Sequence, residues 1–199
     1  MKTLFIPAKA KAAINLNKIT LKGKTGVLTT AQHLDKVKTI KKKDFTFLGQ
    51  VLGCNAKNAK GNYDQYLYIG SGRFHPIQIA LETDKPVYTY NPFTKEFKKL
   101  DSIQKIKNKI KGSYLKYLNA KKVGVILSTK PGQNFRKNYS FPKKKVYYFV
   151  CNNITNQIEN FPDIDIWVNT ACPRLAYEGE FNASIINLTD LLSFLSSTK

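Results

Sequence analysis

Residues 121–129, KKVGVILST, decide how this chain is read. Their apolar core runs from Val123 to Leu127 and is closed by the Pro131-Gly132 pair. A short apolar run bounded by turn residues is the pattern of a buried strand. Residues 24–30, KTGVLTT, open in the same way, so the pattern starts twice and hints at an internal duplication.

Outward from the first start, AQHLDKVKTIKKK (31–43) places Leu34, Val37 and Ile40 on one helical face. DFTFLGQVLG (44–53) is a second strand running into Gly53 and Cys54, and YDQYLYIG (63–70) is a third, ending in SGRFHP. IQIALET (77–83) follows Pro76 as a short helix, and KPVYTYNP (85–92) is a fourth strand stopped by Pro92. From the second start, KKVYYFVC (144–151) and DIDIWVNTA (163–171) are strands. NNITNQIENF (152–161) reads as a helix capped by Asn152 or Asn153, and NLTDLLSFLSS (187–197) as a closing helix. Between the two sets, SIQKIKNKIKGSYLKYL (102–118) aligns Ile103, Ile106, Ile110, Leu115 and Leu118 along a joining helix. Strands alternating with helices give βαβ units. The expected fold is therefore α/β, with two successive small domains whose mostly parallel sheets are flanked by helices. Residues 24–120 form the middle domain with its joining helix, 121–199 the C-terminal domain, and 1–23 a strand and linker belonging to a preceding domain.

Composition narrows the class. Hydrophobic residues make up 42% of the 199, enough for a core, and no apolar run approaches the ~20 residues that span a bilayer. The opening residues do not read as a secretory signal, which points to the cytoplasm. The net charge of +20 would draw nucleic acid or acidic surfaces. Nearly all of it is lysine, with Arg73, Arg136 and Arg174 the only arginines, whereas base readers favour arginine's bidentate fork. A solvated lysine surface is the simpler account, with a basic RNA- or ribosome-associated module kept as an alternative.

Three stretches carry chemistry. GQVLGCNAKNA (49–59) puts Cys54 directly after a strand and a glycine. YIGSGRFHPIQIAL (68–81) sets Gly70, Ser71 and Gly72 between a strand and a helix, beside Arg73 and His75. NTACPRLAYEGEF (169–181) puts Cys172 where Pro173 should stop a strand. All fall at strand carboxyl ends, where open α/β sheets bind ligands, so Cys54 and Cys172 are expected to face a shared space. Neither a P-loop nor a zinc-type CxxC pair is present. His33 reads as a packed helix residue, and Cys151, at a strand end, as a core residue.

GVLTTAQHL, LGQVLGCNAKNA, YLYIGSGRFHPIQIAL, KPVYTYNPFTKEF, GVILSTKPGQ and WVNTACPRLAYEGEF occur in this order. Together they resemble the diphthamide synthase family, the archaeal and eukaryotic 2-(3-amino-3-carboxypropyl)histidine synthases. The resemblance implies three similar α/β domains, each giving one cysteine to a 4Fe-4S cluster that leaves one iron open for S-adenosylmethionine. A 3-amino-3-carboxypropyl group then passes by a radical mechanism to a histidine of translation elongation factor 2. On this resemblance Cys54 and Cys172 are metal ligands, and Gly70, Ser71, Gly72, Arg73 and His75 bind the cosubstrate. TLFIPA (3–8) resembles the end of the family's first domain, so a companion chain is expected to supply that domain and the third cysteine, in a homo- or hetero-oligomer. A non-catalytic scaffold subunit of the same complex is the other family-based reading.

Overall fold

The computed structural model describes residues 4, 6, 8–133, 140–179 and 181–197. The chain divides into two compact units, Met1–Ile103 and Gln104–Lys199. No helix among the described residues is long and apolar enough to cross a membrane.

The first unit contains β1 (Thr25–Thr29), α1 (Leu34–Lys38), β2 (Phe45–Gln50), β3 (Gln65–Ile69), α2 (Phe74–Thr83), β4 (Val87–Tyr90) and β5 (Phe97–Lys99). Its sheet runs β2-β1-β3-β4-β5, parallel except for the last strand, which is antiparallel to β4. Every residue of the central strands β1 and β3 is buried, as the continuous apolar runs require. Leu28, Tyr66, Tyr68, Ile79 and Val87 fill one core cluster; Val27, Leu67, Ile69 and Tyr90 fill another. Burial of each such side chain contributes ~1.5–3 kcal/mol.

The second unit contains α3 (Gln104–Asn119), β6 (Lys122–Ser128), β7 (Lys145–Cys151), β8 (Ile166–Asn169), α4 (Arg174–Glu178), β9 (Ile185–Asn187) and α5 (Leu188–Ser197). Its sheet runs β7-β6-β8-β9, all parallel. That order of second, first, third and fourth strand repeats β2-β1-β3-β4. The agreement extends to single residues. Gly26 of β1 pairs with Tyr66, and Gly124 of β6 pairs with Trp167. A Cβ on Gly26 would come within 2.9 Å of the Tyr66 ring, and one on Gly124 within 2.3 Å of Trp167. Asp64 and Asp165, each two residues before that aromatic, accept backbone N–H bonds from Lys24, and from Lys121 and Lys122, respectively.

Several elements differ from the sequence reading. Residues 10–21 do not stand apart from the first unit. Leu16 and Ile19 are buried in its core, and Lys42 Nζ donates to the carbonyls of both. Leu4 and Ile6 are exposed and in no strand, while Phe5 and Arg136 lie outside the described residues. Helix α3 groups with the second unit, because Tyr114 and Tyr117 fill that unit's core. Ile106 and Ile110 share this half-turned face, but Leu115 and Leu118 point off it and are about half exposed. Helix α2 starts at Phe74, so Pro76 lies inside its first turn, where its missing N–H has no partner to lose. Residues 152–161 form only a 3₁₀ turn, Asn156–Asn160, capped by Thr155 instead of Asn152 or Asn153.

Candidate functional site

Each unit carries its candidate residues beyond the carboxyl ends of its strands. In the first, Leu52 and Asn55 exchange two backbone hydrogen bonds, of 3.0 and 3.1 Å, and so put Gly53 and Cys54 at the tip of a turn. Cys54 is half-buried. Only glycine fits at position 53, since a Cβ there would lie 2.0 Å from the Phe74 ring. The Cys54 turn therefore rests on the first residue of α2, next to Arg73 and His75.

The glycine turn is built around Tyr68. A Cβ on Gly70 would sit 2.5 Å from the Tyr68 hydroxyl, which donates to the Ser71 carbonyl at 3.3 Å. Burial pushes the Tyr68 hydroxyl pKa up to about 12, against a hydrogen bond with Thr30 that lowers it. Gly72 has φ +79°, the left-handed region, and faces open space. Gly70, Gly72 and Arg73 line one small cavity of about 180 Å³, where Arg73 pairs with Asp101 at 3.0 Å. His75 does not line that cavity. It stacks on Tyr68, centroids 5.6 Å apart, and burial lowers its pKa, which favours the neutral ring at pH 7. His33 is 1% exposed, against Phe93, and neither ring nitrogen has a hydrogen-bond partner among the described residues.

In the second unit Cys172 occupies the loop between β8 and α4, as its position after the apolar run implied. Pro173 stops no ladder; it caps the N-terminus of α4, where the absent N–H costs nothing. Cys172 is half-buried and opens onto a cavity of about 540 Å³. Ser128 at the end of β6 and Lys130 beyond it, Asn152 to Thr155 beyond β7, and Arg174, Leu175 and Glu178 of α4 line it too, with Gln133 and Gly179. Arg174 also bonds Glu178 one helical turn on. The sequence reading gave Lys130, Gln133 and the 152–155 loop no role, although STKPGQ had stood out as a motif. Cys151, closing β7, does not line the cavity; burial raises its thiol pKa, and the charge of Lys130 opposes that rise.

The described residues contain no cluster of three or more His, Cys, Asp or Glu side chains able to hold a metal ion. Cys54 and Cys172 instead each stand half-buried on a strand-end loop of their own unit. Deprotonated cysteine is a donor type that suits an iron–sulfur cluster.

Residues 2–199 match the family described as "Putative diphthamide synthesis protein". The chain belongs to this diphthamide synthesis family. The 2-(3-amino-3-carboxypropyl)histidine synthase of Pyrococcus horikoshii is 33% identical over 203 residues, covering 87% of this chain and 59% of its own length. The crystal structure of Dph2 from the same organism superposes with a TM-score of 0.77 at 28% identity, covering 96% of this chain and 64% of that one. A second structure of Dph2, with a 4Fe-4S cluster, gives a TM-score of 0.71 at 29% identity, covering 88% and 58%. The Debaryomyces hansenii relative, 32% identical across 65% of this chain and 34% of its own, is named as subunit 1 of the synthase. This chain thus spans about three fifths of the length of its archaeal relative.

Proposed function

We propose that this chain works as part of a 2-(3-amino-3-carboxypropyl)histidine synthase, with Cys54 and Cys172 as thiolate ligands of a 4Fe-4S cluster. The remaining ligand comes from outside these 199 residues, S-adenosylmethionine is the cosubstrate, and a histidine of translation elongation factor 2 receives the 3-amino-3-carboxypropyl group in the cytoplasm. When bound, the cluster supplies the electron that opens a carbon–sulfur bond of the sulfonium.

The observation that carries this reading is the cavity beside Cys172. Sites for small molecules enclose roughly 300–1,000 Å³. The 540 Å³ cavity fits that range, whereas the 180 Å³ cavity at the glycine turn holds only a fragment of such a ligand. Lys130 and Arg174 offer two cations and Gln133 an amide to the cosubstrate's carboxylate, with Arg174 held by Glu178 of the same wall. Leu175 and Ile154 provide apolar wall. Gly70, Ser71, Gly72 and Arg73 remain proposed as a further contact, with the backbone left accessible by the glycines. His75, neutral and stacked, supports that turn.

The test is anaerobic reconstitution with iron and sulfide, with and without a first-domain chain from a relative, and with excess dithiothreitol to fill vacant iron positions. Wild type should develop 4Fe-4S absorption and, once reduced with dithionite, electron paramagnetic resonance signals. Cys54→Ala and Cys172→Ala should lose them, and Cys151→Ala should not. No cluster under any of these conditions would refute the reading. Loss-free transfer activity in both variants would leave a scaffold role instead.

A further inference from the structure

Two buried asparagines hold the loop that presents Cys172. Asn169 ends β8 and Asn187 ends β9; they are register partners, and each is 2% exposed. Asn169 Oδ1 accepts the Ala171 N–H at 3.0 Å. Its Nδ2 donates to the Cys172 carbonyl at 2.9 Å and to Asn187 Oδ1 at 2.8 Å. Asn187 Nδ2 donates to the Pro173 carbonyl at 3.2 Å and to Asp190 Oδ2 at 3.0 Å. Asp190 Oδ1 in turn accepts the Tyr177 hydroxyl at 3.0 Å.

The direction of both amides follows from the far end of this chain of bonds. A carboxylate accepts and does not donate, so Asn187 must turn its NH₂ toward Asp190 and the Pro173 carbonyl. Its oxygen is then left for Asn169, whose NH₂ must face it. Asn169 Oδ1 is thereby turned to the Ala171 N–H. Such a network is costly to break at either asparagine, because the other, 2% exposed, loses a partner that water cannot readily replace. Three consecutive residues, Ala171, Cys172 and Pro173, are each held by a backbone group.

The first unit has the same device in simpler form. Asn169 lies two residues beyond Trp167, and Tyr68 two beyond Tyr66, the aromatic that occupies the equivalent place. Cys172 and Ser71 each come three residues later, and in each unit the earlier side chain donates to the later carbonyl. The fold ties this loop position down twice, and where the position carries a thiol the tie is a buried pair of amides.

We propose that Asn169 and Asn187 are positioning residues for Cys172: they hold the peptide groups 170–171, 172–173 and 173–174 around it, so that its thiolate is presented to iron in one direction. The proposal rests on the reading of Cys172 as a cluster ligand. Groups that orient a metal ligand from behind commonly change metal affinity by about 10–100-fold when removed.

Asn187→Leu keeps the branched shape and removes all three bonds of that side chain; Asn187→Ser replaces it if the leucine variant does not fold, as judged by circular dichroism. Two quantities are measured on the full chain. The first is the alkylation rate of Cys172 by iodoacetamide in metal-free protein, with Cys151 as the control within the same chain, since no bond of the network reaches it. The second is iron retained after reconstitution with dithiothreitol, with the resonance spectrum of the reduced cluster. The folded variant should change the Cys172-to-Cys151 rate ratio about tenfold, retain about tenfold less iron and shift the cluster's resonance lines. Wild-type ratio, iron content and spectrum in a folded variant would overturn the positioning role alone. A wild-type chain that forms no cluster even with the first-domain chain added, whatever its alkylation ratio, would overturn the ligand reading and this proposal with it.

Discussion

Asp165→Ala tests the repeated architecture at a point where its energy can be estimated. The carboxylate stands just before β8, and its Oδ2 accepts the N–H groups of Lys121 and Lys122, both at 2.8 Å. It thus closes β6 and β8 together at their amino ends. The bonds from Lys122 and Lys121 hold its carboxyl below the usual carboxylate range. A hydrogen bond to a charged acceptor contributes ~1.5–3 kcal/mol when water is excluded. Here the groups are exposed and water replaces part of each bond, so about 1–2 kcal/mol for the pair is the reasoned loss. For a domain of this size that is roughly 5–10 °C in melting temperature. The pH dependence gives an independent check. A depressed folded pKa means that the stabilisation is present above the unfolded value of about 3.9 and is lost as pH falls through the folded one. Urea unfolding followed by circular dichroism at pH 7 and pH 3 should show a gap between wild type and variant that narrows at the lower pH. An unchanged midpoint at pH 7, or an equal gap at both, would refute the reasoning.

Three further outcomes are expected. Burial, and then the charge of Lys36, lower the pKa of His33, so the stability that comes from keeping it neutral is complete above about pH 6.5 and falls away as pH drops below it. Melting curves from pH 7.5 to 5 should therefore decline less for His33→Leu than for wild type, and parallel curves would contradict this. Gly70→Ala drives a Cβ into the Tyr68 hydroxyl and should cost ~1–3 kcal/mol in urea unfolding. Gly72→Ala meets no atom within 4 Å and should lose only the ~1 kcal/mol of a left-handed alanine, so equal losses would refute the distinction. Arg174→Gln should weaken S-adenosylmethionine binding about tenfold by calorimetry, ~1.4 kcal/mol, and unchanged affinity would remove Arg174 from the proposed carboxylate site.

The strands β1, β2, β3, β4, β6 and β8 were legible because burial on a sheet writes itself into a short run of neighbouring apolar residues, and β7 because it carries such a run although most of it is exposed. The strand-end placement of Cys54 and Cys172 followed from the same signal. The three-residue strands β5 and β9 were not legible. Phe97, Lys98 and Lys99 become a strand only because Tyr88, Thr89 and Tyr90 lie alongside to pair with them. Helix α4 was hidden by Pro173, which ends a strand and starts a helix equally well until the path of the chain is known. The burial of Tyr114 and Tyr117 in preference to Leu115 and Leu118 depends on which face of α3 meets its sheet, and the lysine-rich helix carried apolar residues on more than one face. The cavity beside Cys172 and the clamp behind it were beyond sequence reasoning. Lys130, Ile154 and Arg174 come from the ends of separate strands, and Asn169 meets Asn187 only through the register of β8 with β9. Apolar periodicity is a local property of the chain; the convergence of polar groups at the end of a sheet is set by strand order and register, which exist only once the sheet has formed.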